Sequence, residues 1–162
     1  LENAGKKANE YYLNAIVTSD QLQGDVATVS EFLVDTALKL RNDLNETKPV
    51  CVLFGGETTV KMTGRGEGGR NQHLAMLCAR LLEEKPGITI LCGGTDGSDG
   101  PTRAAGAVVD SDTILSAYHK DVDIQEYIAE FNSYNFFRKV SGHIITGPTM
   151  TNVMDIVVLI ID

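Results

Sequence analysis

The chain reads as a single α/β domain, a mixed and mostly buried β-sheet flanked by helices. Three observations predict it. Short aliphatic runs alternate with stretches of helical periodicity. Two of these runs, 50–54 and 88–92, are apolar at nearly every position, the pattern of strands covered on both faces. Other runs stand too close together for helical crossovers, so part of the pairing is expected to be antiparallel.

Taken in order, residues 3–12 are polar and helix-permissive, and 15–18 form a β-branched run expected as a buried strand. After Gly24-Asp25, the residues Val26, Val29, Phe32, Leu33, Thr36, Ala37 and Leu40 recur at helical spacing. A polar stretch at 42–48 ends at Pro49. The strand 50–54 is expected to break at Gly55-Gly56, with 57–63 returning as the second arm of a hairpin. Residues 71–84 spell a helix with Leu74, Leu77, Cys78 and Leu81 on one face, stopped by Pro86-Gly87. The strand 88–92 follows, then a small apolar run at 104–109. Helices are expected at 111–119 and 123–131, and Asn132 or Ser133 is placed to cap another through Phe137. The last strands, 142–146 and 156–161, flank a polar loop that sets Thr149, Thr151 and Asn152 at a rim.

Composition narrows the function classes. The formal charge is −8, which disfavours nucleic acid as a partner. The longest apolar run, 156–161, is far too short to cross a bilayer, and no signal peptide is visible, so no membrane partner is expected. Cys51, Cys78 and Cys92 sit among apolar residues with no Cys-x-x-Cys spacing, as reduced core cysteines of a cytoplasmic protein do. The chain begins at Leu1, and a piece of a longer protein is expected. The segment 1–48 then reads as a joining strand and helix packed on the sheet, and 49–162 as the domain proper.

Chemistry concentrates in two loops. Gly64-Arg65-Gly66-Glu67-Gly68-Gly69-Arg70-Asn71-Gln72 precedes a helix, where backbone N–H groups and a helix N-terminus attract anions. Gly64, Gly66 and Gly69 match Gly-x-Gly-x-x-Gly, but the acidic residue wanted at the end of the next strand falls instead at Glu83 and Glu84, at the helix end. A P-loop would need Lys-Ser/Thr where Arg70-Asn71 stands. A phosphate site and a plain glycine-rich turn with a solvated Arg70 remain equal alternatives here. The second loop, 93–102, carries Asp96 and Asp99 after a strand. Two carboxylates there suit Mg²⁺ or a substrate hydroxyl proton, or simple Asx turns. His73, His119 and His143 read as solvated or structural.

Together these motifs resemble one family. Gly55-Gly56-Glu57-Thr58-Thr59-Val60, then 64–72, then 94–102 with Ala104-Ala105-Gly106-Ala107, then Gly147-Pro148-Thr149 with Thr151-Asn152-Val153 and Asp155, occur in this order in the MOFRL domain, the C-terminal domain of glycerate 2-kinases. The resemblance implies ATP- and Mg²⁺-dependent phosphorylation of D-glycerate to 2-phosphoglycerate, in a cleft shared with an N-terminal Rossmann-like domain. It implies Arg70 and Asp96 as catalytic residues; the carboxylates of the acidic loop, Asp96 and Asp99, are the expected metal ligands. Gly66, Gly68, Gly69, Asn71, Thr95, Thr151 and Asn152 would bind substrate or phosphate. Replacing Arg70 is expected to leave the fold intact. Alone, without the partner domain, the chain is expected to be inactive; a homodimer is left open. The family usually has Glu where His73 stands, and often Gly at Met150, which would narrow the rim. The rival readings are an NAD(P)H-dependent hydroxypyruvate reductase and a non-catalytic small-anion-binding or interaction domain.

Overall fold

The computed structural model describes residues 1–11, 14–43 and 49–162, without the side chains of 19 and 20. Its elements run α1 (Glu2–Glu10), β1 (Asn14–Asp25), α2 (Val26–Asp43), β2 (Val50–Thr59), α3 (Arg70–Leu81), β3 (Ile88–Gly94), β4 (Gly106–Val109), α4 (Asp112–Tyr118), α5 (Ile124–Ala129), α6 (Ser133–Val140), β5 (His143–Ile144) and β6 (Asp155–Ile161). The strands form one sheet in the order β1-β2-β6-β3-β4-β5. β1 is parallel to β2, β6 lies antiparallel between β2 and β3, and β4 and β5 continue antiparallel from β3. This is the α/β class and the mixed sheet that the sequence predicts.

The last strand occupies the middle of the sheet. Its residues alternate, with Val157, Leu159 and Ile161 buried and Ile156, Val158 and Ile160 half-buried. The buried set joins Val50, Val52 and Phe54 of β2, Ile88 and Ile90 of β3 and Ala107 and Val109 of β4 in the main core, against residues of α2 to α6. A smaller cluster on the opposite face joins Ala8 of α1 to Cys51 and Leu53. The three cysteines are free and buried.

The structure departs from the sequence reading in definite places. Gly55-Gly56 does not break β2; one strand runs to Thr59, and no hairpin precedes the glycine loop. Gly56, at φ +154, lies where a Cβ would stand 2.2 Å from the Leu22 carbonyl, so close pairing with β1 calls for glycine there. The 15–18 run, expected as buried, belongs to a longer edge strand in which Ile16 and Val17 are exposed. β3 is fully covered on one face only, because α1 reaches the other face near β1 and β2. Phe32 is exposed, edge-on to Phe54. The polar stretch at 42–48 falls mostly outside the described residues.

α3 differs most. Its spacing predicts one apolar face, yet every residue from Asn71 to Ala79 is buried. It sits between the sheet and its neighbouring helices α2, α5 and α6. Three polar residues of its first turns are therefore forced inside. His73, read as solvated or structural, is buried and stacked on Phe131 with ring centroids 3.9 Å apart. Burial lowers its pKa to about 4, with Arg80 adding to the shift and Asp25 opposing it.

This has a consequence for stability. Above the unfolded value of about 6.5, His73 is neutral in both states. As pH falls from there towards 4, the unfolded chain takes up a proton that the folded chain refuses, and stability drops. Urea unfolding at pH 7 and pH 4.5 should show a His73-dependent loss of about 2 kcal/mol. His73→Leu should lack that part of the loss.

Candidate functional site

Topology brings the motif loops to one edge of the sheet. β6 runs against both β2 and β3, so its start lies beside their carboxyl ends. At that edge Asp155 is in register with Gly56 on one side and Gly94 on the other. The glycine loop leaves β2, the acidic loop leaves β3, and 147–154 leads into β6. The first two border an open cleft of about 700 Å³, lined in part by Glu57, Gly68, Gly69, Arg70, Asp96 and Ser98. Crevices outside strand carboxyl ends are common ligand sites in α/β sheets.

Arg70 opens α3 and is partly exposed. Its Nε and Nη2 donate to Asp155 Oδ2 and Oδ1 at 2.7 and 3.1 Å, a bidentate fork. Nη1 lies 3.0 Å from Glu57 Oε1. The hydrogen bond to Asp155 raises the guanidinium pKa; burial opposes this, and the charges of Asp155, Glu57 and Asp99 reinforce it. Among the described residues lining the cleft, Arg70 is the one cation.

Asp99 takes a place that the sequence reading does not give it. Expected as a metal ligand beside Asp96, it is buried and turned to the N-terminus of α3. Oδ1 accepts from Asn71 N at 3.0 Å, and Oδ2 accepts from Gln72 N at 2.8 Å and Gln72 Nε2 at 3.0 Å. Gly69, the N-cap residue, has no side chain to offer, so Asp99 supplies the cap from another loop. Burial pushes its carboxyl pKa up, while the N–H groups of Gln72 and Asn71 pull it down. Donors expected to cradle a phosphate are thus already bound to an internal carboxylate.

The glycines follow the same logic. A Cβ at Gly69 would stand 2.3 Å from the Asp99 carboxylate, and one at Gly68 would stand 2.1 Å from Ser133 Oγ. Gly66 packs as tightly on Asn132, and its N–H donates to the Glu130 carbonyl. These glycines seat the loop against the α5–α6 turn and Asp99. A dinucleotide fingerprint would instead leave them facing a crevice directly behind a strand.

The other residues divide. Asp96 lines the cleft; its Oδ1 accepts from Ser98 N and Oγ, and among the described residues its Oδ2 accepts no hydrogen bond. Asn71 is buried against Asp99. Thr95 fastens the 147–154 loop: its hydroxyl donates to the Met154 carbonyl at 2.6 Å and accepts from Val153 N. Asn152 Oδ1 accepts from Met154 N, and Thr151 and Asn152 are exposed, outside the residues that line the cleft. Met150 has φ +59 and is 95% exposed, away from the cleft lining, and its left-handed backbone suits the glycine of the resembled family. Among the described residues, no group of three His, Cys, Asp or Glu could hold a metal ion.

Two charged residues of this site, Glu57 and Asp155, enter the sequence reading only as parts of motifs and are given no chemical role there. A signal existed for Asp155, an acid opening an otherwise aliphatic strand, but its partner depends on β6 entering mid-sheet.

Residues 50–155, from the start of β2 to Asp155, match the MOFRL family. The chain belongs to that family. It is 37% identical over 158 residues to a D-glycerate 2-kinase of Thermotoga maritima, covering 97% of this chain and 38% of that protein. It is 47% identical over 205 residues to a glycerate kinase of Mus musculus, covering 99% of this chain and 39% of that protein. The crystal structure of a Thermotoga maritima glycerate kinase superposes with a TM-score of 0.93 at 36% identity, over 99% of this chain and 39% of that one. The chain thus spans under two fifths of the length of these MOFRL relatives. Among the described residues, no helix is long and apolar enough to cross a membrane.

The capping role of Asp99 sets an expectation. Asp99→Ala strands buried N–H groups of Asn71 and Gln72, and urea unfolding should show a loss of about 3 kcal/mol or more. Asp99→Asn, which keeps one acceptor, should lose less. A residue serving only as a metal ligand would show no such loss in metal-free buffer.

Proposed function

We propose that the chain is one wall of a glycerate 2-kinase site that transfers a phosphoryl group from ATP to the 2-hydroxyl of D-glycerate. The observation that carries this reading is the Arg70 fork, fixed by Asp155 at the mouth of a cleft that Asp96 also lines. The names of the relatives, glycerate kinase and D-glycerate 2-kinase, supply the substrate class.

In this reading the hydroxyl oxygen forms a bond to the terminal phosphorus as the bond to the ADP oxygen breaks. Asp96 accepts the hydroxyl proton and orients the nucleophile. Arg70 meets charge on the transferring group or on the glycerate carboxylate. Mg²⁺ ordinarily takes one or two carboxylates together with substrate phosphates. Asp96 suits that role, and Asp99, committed to α3, does not. Bound Mg²⁺ would neutralise the phosphates. Gly68 and Gly69 then shape the wall, Gly66, Asn71 and Thr95 hold its loops from behind, and Thr151 and Asn152 stay exposed on the loop into β6.

The cleft is short of positive charge for a polyphosphate. Glu57, Asp96 and Asp99 line it against a single arginine. This supports a second wall, the N-terminal Rossmann-like domain of the longer protein, that brings the missing cations. Residues 1–48 lead towards that domain and 49–162 form the MOFRL unit. The chain alone is then inactive. Free, buried cysteines support a reducing, cytoplasmic setting. Hydride transfer finds less support, since the glycine loop lacks the dinucleotide geometry.

Testing Arg70 needs care, because Asp155 is buried against it. Arg70→Ala would leave that carboxylate unpaired and cost roughly 3–5 kcal/mol, contrary to the expectation of an intact fold. Arg70→Lys keeps the charge and loses the fork. In the protein extended to the length of its relatives, Arg70→Lys should lower kcat/KM for D-glycerate phosphorylation by about 100-fold. Phosphorus NMR should identify 2-phosphoglycerate as the product. Near-normal rates would refute the assigned role, and full turnover by residues 1–162 alone would refute the two-wall reading.

A further inference from the structure

The two carboxylates on Arg70 differ in kind. Asp155 takes Nε and Nη2 together, its side chain is 8% exposed, and its backbone is paired on both sides, to Gly56 and Gly94. It has no room to leave. Among the described residues Glu57 makes one ion pair, to Nη1, and its side chain is 55% exposed on the cleft wall. Its backbone is pinned in register with Gln23 of β1, so only its side chain is free to swing.

We propose that Glu57 is a displaceable stand-in for a substrate oxyanion, while Asp155 is the positioning residue that holds the Arg70 fork for it. The proposal rests on the reading that Arg70 receives substrate charge. A carboxylate on Nη1 has the charge and oxygen geometry of the group the site would bind, either the glycerate carboxylate or a terminal phosphoryl. An exposed ion pair is weak, so an incoming anion loses little by breaking it. The tethered carboxylate nevertheless competes at an effective concentration on the order of millimolar. A lone weak anion such as inorganic phosphate is therefore kept off Arg70, and a ligand with further contacts in the cleft displaces Glu57. Glu57 thus acts on specificity.

Asp155 acts on aim. With Nε and Nη2 held, the fork cannot rotate, and Nη1 stays on the cleft side. Asp99 adds a further negative charge near Arg70 without touching it in the same way.

The test uses the protein extended to the length of its relatives, with KM measured for D-glycerate and for ATP. Glu57→Gln removes the competing charge and keeps the shape. It should lower one of the two KM values about two- to fivefold and tighten inhibition by inorganic phosphate by a similar factor. A fall for D-glycerate identifies the carboxylate as the displacing group, and a fall for ATP identifies the phosphoryl. Asp155→Asn should lower kcat at least about tenfold and shift the Arg70 Nε–H resonance, whereas Asp155→Glu should partly restore both. If Arg70→Lys is inactive but Glu57→Gln leaves both KM values unchanged or raised, the stand-in is overturned and the kinase reading stands. If Asp155→Asn leaves kcat and the Arg70 resonance unmoved, the positioning role is overturned. If Arg70→Lys is fully active, the kinase role of Arg70 and this inference fall together.

Discussion

Asp99 reaches from the loop after β3 and accepts the first-turn N–H groups of α3. Much of the site's arrangement depends on that contact. It ends a helix that is buried on all sides and therefore cannot turn its N-terminus to water. It draws the loop after β2 and the loop after β3 together, with Gly69 allowing the approach. It also occupies the Asn71 and Gln72 backbone donors, which a glycine-rich loop usually offers to phosphate, and leaves the positive charge at the cleft to a side chain.

That side chain is Arg70, and its position depends on the last strand. β6 enters antiparallel between two parallel strands, which puts its first residue beside their carboxyl ends. Asp155 is carried to the one place where it can meet the first residue of α3. The fork is thus built from the start of a central helix and the start of a central strand, both rigid, with Glu57 beside them on the outer side. Function and stability overlap here: Arg70 faces the cleft and also neutralises a buried acid.

Much of the fold was legible in the sequence. The apolar runs at 50–54, 88–92 and 156–161 are strands, and the helical spacings after Gly24 and Gly69 are helices, because burial imposes period and length on both. Where the reading failed, tertiary packing decided. Gly55-Gly56 looks like a break, but glycine is what a close parallel neighbour requires at Gly56. α3 looks amphipathic, but its polar residues are turned inside, Asn71 and Gln72 onto Asp99 and His73 onto the Phe131 ring. At the candidate site, the two loops were legible as neighbours of one cleft, which Arg70 and Asp96 both line. The division of labour between Asp96 and Asp99 was not, since both stand in the same Asp-Gly-rich loop and only one is buried. Glu57 and Asp155 were parts of recognisable motifs, yet their link to Arg70 spans the sheet and has no signal in local spacing.

The central claim is that an anion binds at the Arg70 fork and not at the N-terminus of α3. A crystal structure of the protein at the length of its relatives, with D-glycerate and a non-hydrolysable ATP analogue bound, tests it most directly. The account predicts a substrate oxygen on Arg70 Nη1, Glu57 swung away, and Asp99 still bonded to Asn71 and Gln72. A phosphate seated on the Asn71 and Gln72 amides, with Asp99 displaced and Arg70 untouched, would contradict it.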